Sequence, residues 1–195
     1  MRIIPSLGLL LAIAACAPNE QAEPQPTPPP TDDSLPSDTG SAPFPLEATQ
    51  AHAELQPTGG SGVEGTVDFT RLGNGVRVVA FVRGLDDGRF ALHIYEGRIH
   101  EGGSCARHGM HFNPSGASHG GPESADGRRH AGDLGNIRSE RGRARYDRVD
   151  TVLRMDSTES IVGHVVAIHA GQDDLNTQPS GRSGDIAACG IIEAR

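Results

Sequence analysis

The chain contains no lysine: all seventeen of its basic residues are arginine, which reads as codon usage or lineage and not as mechanism. No segment shows a convincing helical period, and this argues against a helical bundle. The apolar run at residues 7–15 is too short to cross a bilayer. Basic residues are not in excess either. Residues 46–195 hold twenty acids against sixteen arginines, so nothing points to a nucleic-acid partner. Cysteine is scarce, with Cys16, Cys105 and Cys189 only.

What is present begins with an address. Arg2, the short apolar run and the small residues before Cys16 form the three regions of an export signal. Ile13-Ala14-Ala15-Cys16 resembles a bacterial lipobox, in which the cysteine becomes the lipidated first residue. The alternative is an ordinary secretory signal cut nearby. Both imply export, and the lipobox implies a lipid anchor in the periplasm or cell envelope. With Cys16 lipidated, two cysteines remain in an oxidising compartment, where they can pair.

Residues 17–45 hold nine of the fourteen prolines, five acids and no base. Such a segment cannot bury apolar surface and is expected to be a disordered tether reaching about 90 Å when fully extended. The expected organisation is therefore a signal at 1–16, a tether at 17–45 and one domain at 46–195.

In that domain the grammar is β. Residues 51–55, 63–69 and 90–96 alternate, and residues 76–82 follow an Asn74-Gly75 turn signal. Residues 143–154 are expected to hold two short strands, 161–169 one, and 190–193 the last. Seven or eight short strands with glycine-rich turns imply an all-β, Greek-key barrel or sandwich. Two stretches break the rhythm, 97–136 and 171–187. Loops of that length in a compact domain are functional or stapled. Six of the nine histidines lie in the first or on its flanking strand, and His169 opens the second.

His111, His119, His130 and Asp133 offer three imidazoles and a carboxylate, a donor set suited to tetrahedral zinc. The intervening glycines and prolines allow a loop to fold these donors onto one point. The bland alternative is scattered surface histidines.

His111-Phe112-Asn113-Pro114, His119-Gly120-Gly121-Pro122 and His130-Ala131-Gly132-Asp133-Leu134-Gly135-Asn136 resemble the zinc-loop signature of copper/zinc superoxide dismutases. The segment Phe90-Ala91-Leu92-His93-Ile94-Tyr95-Glu96 matches upstream. Ile168-His169, Asp173-Asp174-Leu175 and Cys189-Gly190-Ile191-Ile192 match downstream. The resemblance implies an eight-stranded Greek-key barrel acting on superoxide, with zinc on His111, His119, His130 and Asp133. It implies copper on His93, His169 and a bridging His111, with Asp173 orienting one histidine of each metal. It also implies a Cys105–Cys189 disulfide, for which the chain-entropy account allows up to about 4–5 kcal/mol, and it admits a homodimer.

Three positions depart from the pattern. Tyr95 stands where a second strand histidine is expected, on the correct face but carrying a phenol that must ionise to ligate well. Ile186 stands where an anion-guiding arginine is expected, beside Asp185. Phe90 replaces a common histidine, a packing change. His100 or His108 could complete the copper set, and Arg182 could supply the lost cation; each is otherwise a solvated residue. Arg141, Arg143, Arg145 and Arg148 lie partly on one face of a strand, read as solvated, with an electrostatic funnel the minor reading. Three functions follow: a dismutase, an impaired relative that binds or buffers metal, and a structural or interaction module.

Overall fold

The computed structural model describes residues 48–97, 109–124 and 128–195. The export signal, the tether, both domain boundaries, Cys16, His100, Cys105 and His108 lie outside those residues.

The strands are β1 (Gln50–Pro57), β2 (Glu64–Leu72), β3 (Gly75–Arg83), β4 (Gly88–Tyr95), β5 (Asp133–Glu140), β6 (Arg143–Asp150), β7 (Val165–His169), β8 (Ile186–Ile191) and the two-residue β9 (Glu193–Ala194). Their order across the sheet is β2-β3-β6-β5-β4-β7-β8-β1-β9, and β1 also pairs with β2. That last pairing, from Gln50↔Thr70 to Leu55↔Gly65, closes eight antiparallel strands into a barrel without open edges. β9 extends it beside Ala51 and His52. β3 neighbours β6 instead of β4, and β6 neighbours β3 and β5 instead of β7, the crossings of a Greek key.

Alternation decides which side chains fill the barrel. Ala51, Ala53 and Leu55 of β1, Val67 and Phe69 of β2, and Val76, Val78, Ala80 and Val82 of β3 all point into one core. Each fully buried side chain of the Leu or Phe class contributes about 1.5–3 kcal/mol. β4 and β7 are buried on both faces. Leu92, Ile94, Val166 and Ile168 face the core, while Tyr95, Val165, Ala167 and Cys189 form a second cluster outside it. The outer face of β4, β7 and β8 is therefore a covered surface, and it carries His93, Tyr95 and His169.

Three details differ from the sequence reading. Residues 133–140 are a strand, so the first long connection ends before Asp133; Gly135, at φ 77, obscured the alternation. Residues 143–154 hold one strand, β6, which ends at Asp150, where the carboxylate turns the chain by accepting the Val152 and Leu153 N–H groups. The β2–β3 turn uses Gly73 and Asn74, since Leu72 pairs with Gly75.

Candidate metal centre

The first connection is stitched onto β4 around one residue. Ile94 donates its N–H to Gly132 O (2.9 Å) and accepts from Phe112 N–H (2.8 Å), while Gly132 N–H donates to Phe112 O (2.8 Å). A Cβ on Gly132 would lie 2.1 Å from Ile94 O, so only glycine permits this approach. The stitch sets His111, His130 and Asp133 beside the outer face of β4. The strands that carry His93 and His169 are both irregular next to them, with register shifts between Ala91 and His93 and between Ile168 and His169. Bulges of this kind re-aim side chains beside functional sites.

His111, His119, His130 and Asp133 are all buried, and their ligating atoms lie within 4.8 Å of one another. The Nδ1 atoms of His111, His119 and His130 approach a single oxygen, Asp133 Oδ1, at 2.7, 3.1 and 3.2 Å. In a zinc tetrahedron with bonds near 2.0–2.1 Å the donors stand about 3.3 Å apart, so this spacing suits zinc with little rearrangement. Asp133 Oδ2 accepts the N–H groups of Gly120 (3.0 Å) and His130 (3.1 Å), which fixes the carboxylate. Burial alone would raise the Asp133 pKa, but hydrogen bonds from His111 and His119 hold it well below the usual carboxylate range. Burial works against a charged His119, yet Asp133 and Asp173 outweigh it and raise that ring's pKa to about 9.

Asp173 joins this cluster to a second one. Its Oδ1 lies 2.9 Å from His119 Nε2 and its Oδ2 lies 2.8 Å from His93 Nε2, all fully buried. Burial, opposed by the Asp173 hydrogen bond, lowers the His93 pKa to about 4 and keeps that imidazole neutral. The rings of His93 and His111 are 4.0 Å apart. His93 Nδ1 and His111 Nε2 are buried with no hydrogen-bond partner among the described residues. His169 completes the group, its Nδ1 2.8 Å from Gly184 O and its Nε2 2.8 Å from the Tyr95 hydroxyl. Burial, with the charges of Asp133 and Asp173, pushes the Tyr95 phenol up and disfavours phenolate. Two orphaned nitrogens and a third nitrogen within one small cluster suit copper; Tyr95 supplies a neutral hydroxyl where a fourth nitrogen is expected.

A cavity of about 690 Å³ opens onto Tyr95, His111 and His169. Arg182, Asp185 and Ile186 line its wall, so Arg182 reaches the site's entrance while Ile186 leaves the base of β8 uncharged. Phe90 packs against the core. Arg148 is not simply solvated: it bonds Glu123 and the Pro122 carbonyl, tying β6 to the metal connection.

Sequence reasoning missed several supports. Gln178 accepts the His119 N–H (2.8 Å) and donates to His119 O (2.9 Å), latching the second connection to the first. Arg129 is buried, donates to the carbonyls of His130 and Ala131, and pairs with Asp150. Neither carries a local signal, because the Gln178 partner is 59 residues away and Arg129 looks in sequence like Arg128.

The closed antiparallel barrel with a paired histidine–carboxylate centre under two long connections defines a metalloprotein of the superoxide dismutase type. The family profile described as copper/zinc superoxide dismutase (SODC) matches residues 63–192, and the chain belongs to that family. It is similar to superoxide dismutase [Cu-Zn] A of Xenopus laevis, 38% identical over 141 residues, covering 68% of this chain and 91% of that one. Among solved structures it resembles the crystal structure of the clock protein EA4, with TM-score 0.68 and 30% identity over 76% of this chain and 96% of that chain.

Proposed function

We propose that the protein is an exported, envelope-anchored superoxide dismutase that disproportionates superoxide to hydrogen peroxide and oxygen, at a rate held down by Tyr95 and Ile186. Zinc would be held by His111, His119, His130 and Asp133, and copper by His93, His111 and His169 with Tyr95 in the fourth place. The observation that carries the reading is the pair of bare, buried nitrogens, His93 Nδ1 and His111 Nε2, set beside the converged zinc donors. Family membership supports the substrate.

A bound copper supplies one-electron exchange with superoxide. The chain's own residues do the rest. Asp173 keeps His93 and His119 oriented, a role whose loss typically weakens a site. His111 takes up and returns a proton at Nε2, the ring nitrogen turned away from the zinc donors. Arg182 attracts a small anion to the cavity, where Asp185 opposes it. Lipidation at Cys16 and the 17–45 tether would hold the domain off the membrane, and a Cys105–Cys189 disulfide would tie the metal connection to β8.

A second reading is favoured by one contact: the Tyr95 hydroxyl occupies His169 Nε2, which suits a weakly active relative that binds or buffers metal. Metal analysis of the mature protein loaded with zinc and copper, beside a superoxide assay, separates the two. Copper at one per chain with turnover supports the dismutase. Stoichiometric copper without turnover supports the buffer, and failure to hold either metal refutes both.

A further inference from the structure

We propose that the copper position selects Cu(I) over Cu(II), because residue 95 supplies no fourth nitrogen donor. The inference rests on the copper reading above and concerns the state in which the metal is held.

The tautomers follow from the partners. Gly184 O can only accept, so His169 Nδ1 carries a proton and donates to it at 2.8 Å. His169 Nε2 is therefore the bare nitrogen, and the Tyr95 hydroxyl, 2.8 Å away, donates to it. His93 Nε2 faces the Asp173 carboxylate at 2.8 Å, which leaves His93 Nδ1 bare. His111 Nδ1 faces Asp133 Oδ1 at 2.7 Å, which leaves His111 Nε2 bare. His93 Nδ1 and His111 Nε2 are both buried.

Without zinc the position thus offers three imidazole lone pairs, one of them engaged by a phenol; zinc on His111 Nδ1 moves that ring's proton to Nε2 and leaves two, at His93 Nδ1 and His169 Nε2. Tyr95 shares the outward face of β4 with His93, so it fills the place of a fourth donor while presenting hydrogen instead of a lone pair. Divalent copper favours four donors in a tetragonal array of nitrogen and oxygen. Monovalent copper has a closed d shell, so no such array is demanded and two or three nitrogens satisfy it. When the metal takes His169 Nε2, the hydroxyl turns aside, and His93 Nδ1 and His169 Nε2 form a two-nitrogen set that His111 Nε2 joins only by releasing its proton to solvent. A site of this composition holds reduced copper and resists its oxidation.

The experiment titrates zinc-loaded mature protein with Cu(I) against bicinchoninate, and with Cu(II) against glycine, for wild type, Tyr95→His and Tyr95→Phe. The ratio of Cu(I) to Cu(II) affinity is expected to be at least about tenfold higher in wild type than in Tyr95→His. Tyr95→Phe, which removes the hydroxyl and adds no donor, is expected to keep the wild-type preference. Equal ratios in wild type and Tyr95→His overturn the proposal. So does a visible phenolate-to-copper absorption in Cu(II)-loaded wild type that vanishes in Tyr95→Phe, since Tyr95 would then be an anionic ligand. If wild type binds neither oxidation state while zinc remains bound, the copper reading itself falls, and this inference with it. Zinc content and far-UV circular dichroism of each variant show whether the barrel is intact.

Discussion

Asn136 and Asp173 bond each other twice. The Asn136 amide donates to the Asp173 carbonyl and its oxygen accepts the Asp173 N–H, both at 2.9 Å. β5 thereby grips the backbone of the residue whose carboxylate orients His93 and His119. Replacing Asn136 with alanine strands a backbone donor and acceptor, a loss of about 1–3 kcal/mol. Urea unfolding of the metal-free protein is expected to show it. Asp173→Ala should act differently, lowering metal affinity about 10–100-fold as measured by chelator competition.

Gly181 lies against the same carboxylate. A Cβ there would stand 1.8 Å from Asp173 Oδ1 and 2.7 Å from His119 Nε2, at a φ of +69°. Gly181→Ala is expected to abolish tight zinc binding while far-UV circular dichroism stays that of a barrel. Zinc retained at wild-type affinity would show that the second connection yields without disturbing His119.

Zinc binding should release protons. The metal-free His119 titrates at about 9, above its ordinary value of 6.5, because two carboxylates flank it. It is therefore protonated at pH 7 and must lose that proton to ligate. Apparent zinc affinity should rise as the pH is raised toward 9, and calorimetry in buffers of different ionisation enthalpy should show about one proton released at pH 7. The folding linkage has the opposite direction. A raised pKa adds stability that is complete below the unfolded value and is lost as pH rises through 9, so metal-free protein should weaken between pH 6.5 and 9.

Ile186 lines the cavity without charge. Ile186→Arg is expected to raise the dismutation rate per bound copper, with a gain that shrinks as salt is added, because steering is screened beyond about 10 Å at 0.1 M. Arg182→Ala should lower the rate with the same salt signature and unchanged metal content. Salt-independent changes in both variants would remove steering from the account.

The proposed Cys105–Cys189 bridge has a simple check. Mass spectrometry of non-reduced mature protein should find no free thiol, and two free thiols in periplasmic material would refute the bridge.

Much of this arrangement is legible in the chain because the information is local. The alternation in β1, β2 and β3 shows in Ala51-His52-Ala53 and Val67-Asp68-Phe69; strand number and glycine-rich turns imply a barrel or sandwich, and the choice of the eight-stranded barrel is what the family resemblance implies. His111, His119, His130 and Asp133 sit close enough in sequence for their convergence to be inferred, and their geometry bears that out. β5 escaped because Asp133 and Gly135 look like loop residues while their neighbours Leu134 and Ile137 fill the core. Gln178 and Arg129 escaped because their work is hydrogen bonding across long separations, for which residue type leaves no trace. The Tyr95 hydroxyl could be placed on the right face from the period of two, but its capture of His169 Nε2 needed three dimensions.

β4 and β7 are buried on both faces, and the two faces hold different kinds of side chain. Leu92, Ile94, Val166 and Ile168 secure the barrel from within, while His93, Tyr95 and His169 stand on the other side. Heritable change on the outer side therefore leaves the core packing within the barrel untouched. A lineage can trade redox chemistry at residue 95 for another use and keep an undamaged scaffold, provided the wall of aliphatic residues behind it is left alone.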